Sequence, residues 1–177
     1  WYGPHLYPLF DRPLEMRPFS LLDADTGEAF RYPDGHAYLL YFGFLGCRSS
    51  CPVALAEMSA FLKQEHVARC GAPRLLFASV DPRDRQERKS KRSRLGEIVL
   101  VDGEDAVFDL AQFLGTRYRL PPSAELADPQ TQIDHPDVVF LLDRAGQKVA
   151  MVTPVRVDTL QAAWQRMLPL CTSDSQE

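Results

Sequence analysis

Apolar residues fall in short runs along this chain, and the period within the runs alternates between that of a strand and that of a helix. FSLLDADTGEAF, residues 19–30, places turn residues Asp25-Thr26-Gly27 between two short apolar segments, which predicts a β-hairpin. After Pro33-Asp34-Gly35, the run HAYLLYFGF (36–44) is almost continuously apolar. Its length and aromatic content predict a strand buried on both faces. Pro52 then fits the first turn of a helix, where its missing N–H is no loss. Ala54, Met58, Phe61, Leu62 and Glu65 follow at helical spacing, and Gly71 is the expected stop.

RLLFASV (74–80) predicts a second buried strand that ends at Asp81-Pro82, and EIVLVD (97–102) a third, shorter one. DAVFDLAQFLG (105–115) predicts an amphipathic helix with Val107, Leu110, Ala111 and Leu114 on one side. Residues 116–134 contain three prolines and read as a long loop. DVVFLLDRAGQKVAMV (137–152) predicts a hairpin turning at Arg144–Gln147, and VDTLQAAWQRMLPL (157–170) a final amphipathic helix. Strands alternating with helices, then a hairpin and a closing helix, predict an α/β sandwich with a mixed sheet. Residues 1–18 carry four prolines and no periodicity, so they are expected to form an irregular arm. The expected organisation is one domain over 19–171, with a frayed tail at 172–177.

Composition changes this picture little. A chain of 177 residues with 45% hydrophobic and 25% charged residues suits one ordinary globular core. No apolar stretch approaches the roughly 18 residues that a membrane span requires. A chain that opens on Trp1 is expected to have been processed or trimmed, so that a signal peptide or anchor would lie ahead of it. The net charge of −4 conceals a basic block, RDRQERKSKRSR (83–94), with seven Arg or Lys residues against Asp84 and Glu87. Leu95, just past its end, is the nearest apolar residue, so a helix there would have no face to bury. The block is expected to be an exposed, solvated segment. No aromatic residue interleaves with its charges, which argues against a nucleic-acid surface.

The chemistry concentrates at GFLGCRSSCPV, residues 43–53. Cys47 and Cys51 lie where a central strand ends and a helix begins, the end of an open α/β sheet where ligands bind. The partial positive charge of a helix N-terminus favours thiolate over thiol. Thiolate is the reactive form both for disulfide exchange and for metal binding, so a redox couple and a metal site both remain open. The C-x-x-x-C spacing is one residue wider than the C-x-x-C of thioredoxin-type redox motifs, which lets two sulfurs spread around a metal. Two soft ligands favour Cu(I) or Zn, and an imidazole would complete a three-coordinate site. His5 lies in the arm, His36 at the wrong end of the buried strand and His66 near the far end of the cysteine helix. His135 stands just before a strand, held extended by Pro136. Asp81 reads either as a residue beside the site or as a turn former before Pro82. Cys70 and Cys171 close two predicted helices and are expected to be unpaired thiols.

YFGFLGCRSSCP (41–52), FASVDP (77–82) and IDHPDVVFLLDRAGQ (133–147) together resemble the Sco/SenC family, in order and over most of the chain. The family pattern is YFG-x-x-x-C-x-x-x-CP, a strand ending in SVDP, then DH before a strand and a D-x-x-G turn. The resemblance implies a thioredoxin-like three-layer fold carrying an N-terminal β-hairpin extension. It also implies copper, as Cu(I) or Cu(II), bound by Cys47, Cys51 and His135, the two cysteines doubling as a redox pair. Implied too are a copper-accepting partner such as a cytochrome c oxidase subunit, a thioredoxin-like reductant, and a place in the periplasm, on an inner membrane or in the mitochondrial intermembrane space. A metal-free thiol–disulfide oxidoreductase and a copper or redox sensor are the alternatives. The chain departs from the pattern in three places. Arg48-Ser49-Ser50 replaces the usual Pro-Asp-Val, so a cation stands beside the thiolates and is expected to lower their pKa. Pro136 replaces the Ser or Thr after DH, and the basic block follows SVDP.

Overall fold

The structure, a computed structural model, describes residues 8–9, 13–23, 26–64, 71–85, 98–100 and 104–171. The first half of the chain forms β1 (Pro8–Leu9), β2 (Leu14–Glu15), β3 (Phe19–Leu22), β4 (Ala29–Tyr32), β5 (Tyr38–Gly43) and α1 (Ser50–Leu62). Next come β6 (Arg74–Ser79), a single 3-10 turn at Pro82–Arg85 and β7 (Ile98–Leu100). The remainder forms α2 (Glu104–Phe113), α3 (Ser123–Leu126), β8 (Val139–Leu142), β9 (Gln147–Val152) and α4 (Val157–Cys171).

One seven-stranded mixed sheet runs β1-β9-β8-β5-β6-β7, with β2 also paired to β9, while β3 and β4 form a separate hairpin. β5, β6 and β7 are parallel, and β8 turns back antiparallel to β5. All six residues of β5 are buried, as a strand covered on both faces requires. Alternation along β5 assigns the two faces. Tyr38 packs edge-on against Phe30 and Tyr32 of the hairpin, with ring centroids 5.4 and 6.0 Å apart. That face is closed by the β3–β4 hairpin, on which α2 packs. Tyr41 and Gly43 point the other way, toward the start of α1. α1 packs on α4, where Phe61 meets Trp164 edge-on at 6.2 Å. The expected layers, central mixed sheet and hairpin extension are all present.

The amphipathic helix is present as α2, and Val107, Leu110, Ala111 and Leu114 are all buried. Gly115, at φ +78°, ends it: Thr116 N–H reaches Ala111 O at 3.0 Å and Gly115 N–H reaches Gln112 O at 3.0 Å. These two bonds occupy carbonyls that the helix end would otherwise orphan, and they need a residue free to adopt positive φ.

Three expectations need correction. The arm is not wholly irregular, because Pro8–Leu9 and Leu14–Glu15 pair with β9. Proline is tolerated there because an edge strand does not need every N–H. α1 ends at Leu62, well before Gly71. Phe61 is its last buried residue, and the polar Lys63 and Gln64 that follow give the helix nothing further to bury. The loop over 116–134 contains the one-turn helix α3. Asp25, His5, His66, Cys70, residues 86–94 of the basic block and the tail at 172–177 lie outside the described residues. Cys171 is described only as the last residue of α4.

Candidate metal centre

β5 delivers the chain to the site and α1 carries it away. Between them, Phe44 O accepts from Cys47 N–H at 3.1 Å, a turn that folds the first cysteine back over the strand end. The entry to this turn is fixed by a buried carboxylate. Asp84 Oδ2 accepts from Leu45 N–H at 2.9 Å and from the Ser79 hydroxyl at 2.6 Å. Gly43 leaves room beneath the second cysteine: a Cβ there would lie 2.9 Å from the Phe77 ring and 3.0 Å from Cys51 Sγ. Cys47 and Cys51 are both buried and both free thiols.

His135 arrives on the segment that leads into β8, the strand paired directly with β5. Its ring stands edge-on between Tyr41, at 6.0 Å, and Phe44, at 5.7 Å. Nδ1 lies 3.3 Å from Pro136 O. Nε2 faces the sulfurs, 3.3 Å from Cys51 Sγ and 3.5 Å from Cys47 Sγ. It donates to a Cys47 thiolate when it carries the proton and offers its lone pair to a metal when it does not. All three candidate ligand atoms lie within 4.8 Å of one another. A trigonal metal with bonds of about 2.3 Å to sulfur and about 2.0 Å to nitrogen would need S···N separations of about 3.7 Å. Movements of a few tenths of an ångström would therefore admit an ion.

The two thiols differ. Burial opposes ionisation of Cys47, but hydrogen bonds from Cys51, His135 and the backbone N–H groups of Cys51 and Ser49 outweigh it and lower the thiol to about 6. Ser49 makes no side-chain cap, so the Cys47 sulfur uses N–H groups that the start of α1 leaves unpaired. Burial, reinforced by the proximity of Cys47, pushes Cys51 up to about 12. One thiolate beside one thiol is therefore the resting state at neutral pH. Burial and the nearby Cys51 sulfur raise the Tyr41 phenol well above its ordinary value, so it remains a donor to Asp137 Oδ1 at 3.3 Å. The expected lowering of a thiol pKa is present, but its cause is not the Arg48 cation. The Arg48 guanidinium turns to Gln130 Oε1 instead.

Asp81 and Arg83 hold the segment that precedes His135. The Arg83 guanidinium contacts both carboxylate oxygens of Asp81, the closest at 2.7 Å. It also donates to Thr131 O and Asp128 O, each at 2.9 Å, and to Leu126 O at 3.4 Å. Arg83 and Asp84 thus belong to the interior architecture, not to an exposed block. Sequence reasoning missed them because the charge run that contains them reads as uniform surface. The acid-rich start of the run, Asp81-Pro82-Arg83-Asp84, was the available signal. His36 sits beside Asp34 at 3.4 Å, at the end of β5 remote from the cysteines. The three residues singled out as ligands are brought together, among the described residues, and the other histidine is not.

Comparison with known proteins agrees with this architecture. The SCO1/SenC family model matches residues 10–167. The SCO2-like protein RP587 of Rickettsia prowazekii (strain Madrid E) is 29% identical over 136 residues. That match covers 73% of this chain, and the chain spans 65% of the length of that relative. The crystal structure of Arabidopsis thaliana ScoI with copper bound superposes at a TM-score of 0.71 and 23% identity, covering 87% of this chain and 98% of the other. Yeast Sco1 superposes at 0.71 and 23% identity, with 88% and 98% covered. A SCO1/SenC family lipoprotein from Bacillus anthracis str. Ames superposes at 0.70 and 16% identity, with 90% and 99% covered. The chain carries the thioredoxin-like fold of these proteins and belongs to the SCO1/SenC family.

Proposed function

We propose that this protein is a copper-handling protein that binds one copper ion through Cys47, Cys51 and His135 and passes it to a partner. The observation that supports this most is the mutual approach of two sulfurs and one imidazole nitrogen within 4.8 Å. That donor set suits copper in both oxidation states. The thiolates favour Cu(I), and the imidazole makes Cu(II) tolerable. Copper is cargo here. It would leave by exchange of Cys47 and Cys51 for the thiols of a recipient, the more exposed Cys47 leading. A copper subunit of a cytochrome c oxidase is the recipient that the family suggests, in an extracytoplasmic compartment.

A second reading is favoured by the unequal thiols. Cys47, held low, could attack a partner's disulfide, and Cys51 could then resolve the mixed disulfide. The two readings separate by experiment. Fully reduced protein titrated with Cu(I) in the presence of a competing chelator should take up one ion per chain. Cys47→Ser or Cys51→Ser should abolish that uptake, and His135→Ala should weaken Cu(II) far more than Cu(I). Turnover on a disulfide substrate in copper-free buffer, with copper uptake unaffected by these changes, would favour the oxidoreductase.

A further inference from the structure

The two halves of the metal centre come from segments far apart in sequence, and one side chain joins them directly. Gln132 stands three residues before His135. Its Nε2 donates to Gly46 O at 3.2 Å, and its Oε1 accepts from Arg48 N–H at 3.2 Å. The two bonds grip the backbone on either side of Cys47. Their polarity is self-consistent, because a carbonyl requires the nitrogen of the amide and an N–H requires the oxygen. Arg48 adds a bond from its guanidinium to Gln130 Oε1, parallel to the first pair. Residues 46–48 are thereby fastened to residues 130–132.

From this geometry we infer that Gln132 is a positioning residue: its side-chain amide clasps the Cys47 turn to the His135 segment and sets the distance between imidazole and sulfurs. The inference rests on the copper reading of the site for its consequence, although the clasp itself is a property of the metal-free protein. Cys47 and Cys51 share one turn and one helix start, so their mutual spacing is set locally. The approach of His135 depends on how two remote segments are held. Loosening the clasp should therefore act on the ligand that matters for Cu(II) and spare the sulfur pair that holds Cu(I). The bonds are solvent-exposed, so water competes for each of them, and the two together should contribute about fivefold to tenfold.

The test uses Gln132→Leu, which keeps the bulk and removes both bonds. Gln132→Glu keeps an acceptor for Arg48 N–H but gives Gly46 O no donor. Arg48→Ala removes the guanidinium and keeps the backbone N–H. In metal-free protein, amide exchange at Arg48 should be about fivefold to tenfold faster in Gln132→Leu. It should be close to wild type in Gln132→Glu and Arg48→Ala. In the copper-loaded protein, Gln132→Leu should weaken Cu(II) by about fivefold to tenfold, change Cu(I) by less than about twofold, and shift the sulfur-to-Cu(II) absorption band. Unchanged Arg48 exchange in Gln132→Leu would overturn the clasp. Equal losses for Cu(I) and Cu(II) would overturn its positioning role. Failure of the wild-type protein to bind copper would count against the proposed function, and the metal-free exchange would still decide the clasp.

Discussion

Arg83→Met should be among the most damaging substitutions outside the three candidate ligands. The carboxylate of Asp81 is almost wholly buried, with 3% of its side chain exposed, whereas Arg83 is 24% exposed. Removing the guanidinium leaves a buried negative charge whose remaining partner among the described residues is the N–H of residue 83, at 2.9 Å. Breaking a buried ion pair on one side costs about 3–5 kcal/mol. Water entering along the partly open Arg83 path places this case at the lower end, about 3 kcal/mol. The carbonyls of Asp128 and Thr131 also lose their charged donor, but their segment borders solvent, so their share is about 1 kcal/mol. The expected loss is therefore about 3–4 kcal/mol, measured as a shift in urea midpoint at constant m. Asp81→Asn in the same background removes the stranded charge and should recover about half of the loss. The coupling is then about 2 kcal/mol plus whatever Asp81→Asn costs alone, a magnitude typical of contacting residues. A loss below about 1 kcal/mol for Arg83→Met, or no coupling to Asp81, would refute the view that this pair holds the loop before His135.

Two more predictions follow from the site. Gly43→Ala should destabilise the protein by about 1–3 kcal/mol, the usual cost of overpacking, because the added methyl must displace either the Phe77 ring or Cys51 Sγ. Thermal unfolding reads the loss, and slower alkylation of Cys51 with unchanged stability would contradict the packing argument. The unequal thiols predict a maximum in stability against pH. Cys47 titrates near 6 when folded and near about 8.5 when unfolded, so its stabilising contribution is lost as pH falls toward 6. Cys51 stays protonated up to about 12 when folded, so above about 8.5 the unfolded chain has lost both protons and the folded protein only one. Stability should rise between pH 6 and about 8.5 and fall beyond it. A Cys47→Ser, Cys51→Ser double variant should flatten the profile; a profile unchanged by that variant would reject the assignment.

Much of the fold was legible because its strong signals are local. β5 is a buried apolar run between a turn and a cysteine, α2 shows a clear helical period closed by Gly115, and the β8–β9 hairpin turns on Asp143 and Gly146. What escaped depends on partners distant in sequence. β1 and β2 are two residues each, and only the edge of β9 makes them strands. α1 stops at Leu62 because the core stops there, not because a glycine says so. Arg83, read as one cation among seven, is an internal fastener because Asp81 and three carbonyls of a remote loop converge on it.

The same division runs through the site and decides what each half can tolerate. The sulfur pair is built by contiguous chain: a strand end, one turn and the first residues of α1. Its thiolate is favoured by the Cys51 and His135 side chains and by backbone N–H groups of Cys51 and Ser49 that no substitution short of proline removes. The imidazole is delivered by residues 126–135, and its place rests on side chains: Arg83 on Asp81 at the base of the segment, and Gln132 on the Cys47 turn at its tip. Side-chain contacts of this kind are lost one substitution at a time, whereas the sulfur pair survives as long as the fold does. Variation outside the three candidate ligands should therefore change the preference between Cu(II) and Cu(I) much more readily than it abolishes copper binding.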